Sequence, residues 1–379
     1  MNLILGAGMA GLGAGIKTEY PIYEQSDKAG GICRDYVKDG FTFSNGGGHY
    51  LFGKGPGLDY IKSLVPVNEI ERKAGVYYNT TFPYPFQTTA EKDNHISTYL
   101  HGGNATIKDW LFDKFGKDQC NLFFNPFNEK YTAGLYDRII QVDDYKSPPA
   151  GGKGFCPTFC DPVNGLSDLV DKMASKCDIK YGYQAKKIYV EKKRVYFEGN
   201  NFGQDKEYDK LISTIPLNKL MEMCGQKVNL PYTSVLVINI GAEVGACTPK
   251  EHWMYIPFSK TPFYRVGFYS NIHPNKAPNG TVGLSVEMAF LPDQKIDIPK
   301  ITRDVIQELQ EWRWIGEEVI TKDPTVVPMA YTWVYDRETV PKALAWLKER
   351  DIISIGRYGK HRFQGMVESV GDGLNVNLD

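Results

Sequence analysis

The chain has 379 residues, 42% hydrophobic and 23% charged, with a formal net charge of −1, so it is long enough for two or three domains around a large core. So even a charge balance offers no electrostatic footprint for nucleic acid or an anionic membrane surface. No apolar run approaches the roughly twenty residues that span a bilayer, no basic n-region precedes the first apolar segment, and seven irregularly spaced cysteines make no disulfide framework, so a cytoplasmic location is expected.

Leu3, Ile4 and Leu5 read as a short buried strand that runs into Gly6-x-Gly8-x-x-Gly11 and then a small-residue helix. This is the pattern of a phosphate-binding βα turn. Gly6 permits the turn, Gly8 lets the backbone approach a diphosphate at the helix N-terminus, and Gly11 lets helix and strand pack closely. Gly6, Gly8, Met9, Ala10 and Gly11 are the candidate contacts. Residues 21–24 read as a second strand ending in Glu24, eighteen residues after Gly6 and placed to accept a ribose hydroxyl, with Gln25 beside it. A second glycine pair, Gly30 and Gly31, follows where a nicotinamide-binding fold would usually begin another βα unit.

Residues 40–52 alternate and then reach three consecutive glycines, of which Gly47 and Gly48 precede His49. Missing side chains there allow a flat or phosphorylated group to come close. Between 76 and 87, Pro83 and Pro85 are expected to stop regular structure and hold Tyr84 and Phe86 apart as stiff aromatics before Gln87. Thr106 to Asp137 is predicted helical, with Pro126 interrupting, and 146–162 a long connection.

A helix is expected at 165–176, a hairpin at 185–197 and a buried strand at 210–216. Strand-like segments follow at 233–241, 252–257, 263–270 and 281–288, a pattern for an antiparallel sheet. A helix at 301–312, a strand at 326–334, a helix at 341–350 and a buried strand at 352–356 complete the chain. Cys156 and Cys160 are the only close cysteine pair and no other ligand completes a zinc spacing, so no metal is expected.

Several motifs, taken in order, make the chain resemble the flavin-dependent UDP-galactopyranose mutases, within the wider FAD-linked amine oxidases. They are the nucleotide turn, Gly47-Gly48-His49 leading to Phe52, and Pro83-Tyr84-Pro85-Phe86-Gln87. Next come residues 125–130, which include Asn128, Trp253-x-Tyr255-x-Pro257 and Tyr264-Arg265. Gly356-Arg357-Tyr358-Gly359 closes the set. The resemblance is greater to the eukaryotic branch. It implies an α/β fold with a Rossmann-like FAD-binding domain of glutathione-reductase type, a helical insertion and an antiparallel-sheet substrate domain. The FAD domain is expected from 1–62, 163–220 and 345–379, the insertion from 90–150, and the substrate domain from 63–89 and 221–344.

In that family reduced FAD is an N5 nucleophile toward the anomeric carbon of a nucleotide sugar. The diphosphate departs, the ring reopens as a furanose and the diphosphate returns, with no net redox change. The implied catalytic residues are Arg265, Arg357 and His49. The implied substrate contacts are Tyr84, Phe86, Gln87, Asn128, Tyr264 and the same two arginines. Ala185, Gly356 and Glu368 join the glycines and Glu24 as implied cofactor contacts. A UDP-linked sugar and an external reductant such as NAD(P)H are the implied partners. Ile272 and Phe363 stand where the family has tyrosines, a third falls near Thr339 or Val340, and a family arginine falls near Lys146 or Ser147. These departures keep an FAD-dependent oxidase or desaturase as the alternative reading. The sequence fixes no oligomeric state.

Overall fold

Leu3, Ile4 and Leu5 are at most 1% exposed and form the centre of a parallel sheet in a computed structural model that describes residues 1–84, 105–140, 156–199 and 202–378. The sheet order is Ile352–Ser354, Leu211–Ser213, Leu3–Leu5, Ile22–Glu24 and Ile179–Tyr181. A strand covered on both faces favours apolar residues throughout, so the predicted runs at 210–216 and 352–356 are largely continuous rather than alternating, with only small Ser213 and Ser354 buried among them. Start, middle and end of the chain meet in this one sheet. Behind it, helix Met9–Thr18 packs on Met366–Leu374 so closely that a Cβ on Gly373 would lie 2.2 Å from the Ala10 carbonyl oxygen.

The second sheet has seven strands, in the order Ile315–Thr332, Tyr232–Val244, Thr281–Phe290, Arg265–Phe268, Trp253–Tyr255, Ala74–Tyr77 and Thr81–Pro83. Its pairings are antiparallel except Trp253–Tyr255 on Ala74–Tyr77. Helix Ile298–Glu311 covers one face with fully buried Val305 and Leu309, each worth about 1.5–3 kcal/mol of burial. The α/β class with parallel and antiparallel sheets is thus as expected.

Several local expectations are corrected. The strand predicted at 326–334 is the C-terminal part of Ile315–Thr332; charged residues and Pro324 hide its N-terminal half, and both are tolerated because it is an edge strand. Pro83 does not break structure but closes an edge strand, where a missing N–H costs no ladder bond. Within the connection read at 146–162, Thr158–Pro162 is a strand paired with Val67–Glu71. Phe202–Glu207 adds a third strand to the hairpin at 185–197.

In the helical region, the Thr106 hydroxyl accepts the Asp109 N–H at 3.1 Å and starts Ile107–Gln119, which kinks at Gly116. A π-helical turn, Cys120–Phe124, leads into Asn125–Tyr131. Pro126 sits in the first turn of that last helix, where its lack of an N–H is harmless, and does not interrupt it.

Candidate functional site

The first βα turn is shaped by what its glycines leave out. Gly6 has φ of +93°, a left-handed value, and a Cβ on Gly11 would sit 1.9 Å from the Gly6 carbonyl oxygen, so strand and helix approach only without a side chain there. Gly8 caps helix Met9–Thr18 with no side-chain hydrogen bond, and a Cβ there would meet nothing within 4 Å. The first N–H groups of the helix therefore open onto space. Glu24 closes the other side: one carboxylate oxygen accepts the buried Ala7 N–H at 2.7 Å, the other the Ser26 N–H at 2.9 Å and hydroxyl at 2.7 Å.

This turn forms one end of a cavity of about 640 Å³. Gly6, Gly8, Met9, Ala10, Glu24, Gln25, Gly30, Gly31, Gly48, His49, Ala185, Arg265, Gly356 and Arg357 all line it. Its size, the open helix N-terminus and the glycine cradle fit an extended dinucleotide whose diphosphate faces the helix. A smaller cavity of about 170 Å³ adjoins it, walled by Tyr84, Trp253 and Tyr255 and carrying Arg72 and Glu368. Arg265, Glu287, Tyr50, Phe363 and Gly48 line both cavities and mark where they meet. Tyr84 and Tyr255 lie 4.6 Å apart between ring centroids, and Arg72 stands over Tyr84 at 5.7 Å.

The two arginines differ in their surroundings. Arg265 stands directly opposite Glu287 in the antiparallel register. Its Nε–H donates to Oε1 at 2.9 Å and its Nη2 donates to Oε1 at 2.7 Å and to Oε2 at 2.6 Å. The Tyr264 hydroxyl donates to Glu287 Oε2 at 2.7 Å. Burial pulls the Arg265 pKa down, but the Glu287 charge outweighs it and holds the guanidinium well above its ordinary value. Arg357 instead donates to carbonyls, from Nη1 to Gln364 at 3.3 Å and from Nη2 to Ala330 at 3.0 Å. Phe363, Tyr331 and Tyr358 surround it at 4.7, 5.2 and 5.7 Å.

His49 follows the glycine loop with its Nδ1 2.7 Å from the Gly47 carbonyl oxygen, a geometry that puts the proton on Nδ1. Burial lowers its pKa, the Gly47 bond opposes this, and Arg357 adds to the lowering, so the ring is neutral at pH 7. Burial likewise pushes the Cys33 thiol up to about 12, which leaves this cavity-lining cysteine an inert thiol.

Not every sequence candidate lines the larger cavity. Gly11 shapes the turn from behind, and Gly47 backs Glu287, whose Oε1 would lie 3.2 Å from an added Cβ. Tyr84 and Glu368 line the smaller cavity, and the Glu368 carboxylate accepts the Gly365 N–H at 2.6 Å. Tyr264 and Asn128 are buried, 1% exposed each; Tyr264 supports Glu287, and Asn128 donates to the Phe124 carbonyl at 2.7 Å. Phe86, Gln87, Lys146 and Ser147 lie outside the described residues. Among the described residues no three His, Cys, Asp or Glu side chains converge as metal ligands, and no helix is long and apolar enough to cross a membrane.

Sequence reasoning missed Glu287. Its signal was an acid inside the otherwise apolar or small-residue strand Thr281–Phe290, and its partner could not be named before the register was known.

No family model matches the sequence. Among solved structures, UDP-galactopyranose mutase in reduced form superposes with a TM-score of 0.86 at 24% identity, over 98% of this chain and 93% of that one. The chain has the fold of UDP-galactopyranose mutase. The same architecture extends further. Putrescine oxidase with bound putrescine matches at a TM-score of 0.69 and 13% identity, over 98% of this chain and 97% of that one. A fatty acid isomerase from P. acnes matches at 0.66 and 13%, over 99% and 97%.

Proposed function

We propose that the protein is a flavin-dependent nucleotide-sugar mutase that interconverts pyranose and furanose forms of a UDP-linked sugar. The observation that carries this reading is the placement of Arg265 where a dinucleotide-sized cavity meets a smaller aromatic one, with Arg357 lining the larger. FAD fits the larger cavity, with Glu24 toward a ribose and the open N-terminus of Met9–Thr18 toward its diphosphate. Reduced FAD, when bound, supplies a nucleophilic nitrogen without net redox change, and an external donor such as NAD(P)H keeps it reduced.

The chain's own residues bind and orient. Arg265 and Arg357 hold the substrate diphosphate, since planar guanidinium forks suit phosphate oxygens. Tyr84 and Tyr255 wall the nucleotide side and exclude water, and neutral His49 fixes the glycine loop through Gly47. Residues 1–62, 163–220 and 345–379 form the FAD-binding part in this reading, and 63–89 with 221–344 the substrate part. The test is anaerobic incubation of the flavin-loaded, dithionite-reduced protein with UDP-galactopyranose and with UDP-, GDP- and dTDP-sugar panels, followed by chromatography. Interconversion to the furanose isomer is expected; none with any sugar nucleotide refutes the reading.

A second reading, an FAD-dependent oxidase or desaturase, is favoured by Phe363, which lines both cavities without a hydroxyl to offer an anion. Substrate-dependent oxygen uptake with amines or porphyrinogens would establish it.

A further inference from the structure

Glu287 carries a charge deep in the protein, 4% exposed, at the meeting of the two cavities. It is held from three sides: Arg265 from the facing strand, the Tyr264 hydroxyl, and Gly47, where any side chain would press on Oε1. Its grip takes the Nε and Nη2 edge of the guanidinium. Among the described residues, Nη1 of Arg265 keeps no protein acceptor. Arg265 thus faces the cavities as an aimed donor whose charge is largely cancelled, whereas the hydrogen bonds of Arg357 go to carbonyls and leave its charge uncompensated.

We propose that Glu287 is a positioning residue for the substrate diphosphate: it fixes the direction of Arg265 and weakens that arginine's hold on the anion. The inference rests on the nucleotide-sugar reading above, in which a diphosphate must leave a sugar carbon, stay in place and return. Such a group needs accurate placement more than deep trapping, because an anion bound too tightly in its departed state is slow to react again. A bidentate carboxylate meets both needs, since it fixes the guanidinium plane and offsets the field felt by a second anion.

The test compares wild type, Glu287→Gln, Glu287→Asp and Tyr264→Phe as flavin-loaded proteins, titrated with UDP by flavin fluorescence and assayed for turnover. Glu287→Gln removes the charge at constant shape, so UDP is expected to bind at least three-fold more tightly while kcat falls. Glu287→Asp and Tyr264→Phe keep the charge but loosen the aim, so UDP affinity stays within two-fold while kcat falls. A merely structural role would lower affinity and kcat together in all three, and unchanged or weaker UDP binding in Glu287→Gln overturns the proposal.

If Glu287→Gln does not retain flavin, the other two variants decide. A fall in kcat at constant affinity upholds the aiming role, and a parallel loss of both refutes it. A wild type indifferent to UDP ends the nucleotide-sugar reading instead. The same titration with inorganic pyrophosphate then decides the role of Glu287, with tighter binding in Glu287→Gln for it and equal or weaker binding against it.

Discussion

Glu24→Ala removes the acceptor that ties the glycine turn to the second strand, and the geometry sets the size of the effect. The Ala7 N–H is buried with its residue at 0% exposure, so without the carboxylate it is left dry and unpaired at about 1–3 kcal/mol. Ser26 is exposed and water replaces what it loses, so its two bonds to Glu24 add only about 1 kcal/mol. A total near 3 kcal/mol, at about 2 °C per kcal/mol for a chain of this size, lowers the apparent melting temperature of the apoprotein by about 6 °C. On the proposed flavin reading, flavin retention after gel filtration falls as well, because the glycine turn is no longer braced. Glu24→Gln still offers an oxygen to Ala7 and loses roughly a third of this. Scanning fluorimetry and the flavin-to-protein absorbance ratio measure both effects. A Glu24→Ala protein that melts within about 1 °C of wild type and carries full flavin would refute the reasoning.

Gly11→Ala is expected to abolish flavin binding, because its Cβ would have to sit 1.9 Å from the Gly6 carbonyl oxygen and strand and helix must part; a yellow, fully loaded variant would contradict this. Burial lowers the pKa values of His49, His252 and His361, that of His252 to about 4. The unfolded chain therefore binds their protons first, and the stability they contribute is complete above about pH 6.5 and is lost as pH falls toward their native values. His49→Asn should show a shallower decline in melting temperature between pH 6.5 and 5 than wild type, and an identical slope would show that His49 takes no part.

The residues alone determined the glycine-turn end of this molecule. Gly6, Gly8, Gly11 and Glu24 are local: a turn, a helix start and an acid at fixed spacing, whose chemistry follows from backbone geometry within one βα unit. The buried runs at Leu3–Leu5, Leu211–Ser213 and Ile352–Ser354 likewise announced a sheet made from distant parts of the chain, because a strand covered on both faces favours apolar or small residues. The edge strands were only partly legible, for the opposite reason. Ile315–Thr332 and Thr158–Pro162 are rich in polar residues and proline, and only their neighbours make them strands.

The place where the two cavities meet was decided by tertiary structure. Arg265 could be named from its motif, but its pairing with Glu287, twenty-two residues away, depends on which strand lies opposite and in which register. A one-residue slip of either strand would put the two side chains on opposite faces of the sheet. Arg357 and Arg265 look alike in sequence, and their different electrostatic surroundings arise from what folding places beside each: backbone carbonyls and aromatic rings for one, a buried carboxylate for the other. Local spacing encodes a backbone turn, whereas a charge balance belongs to side chains that meet only across a sheet.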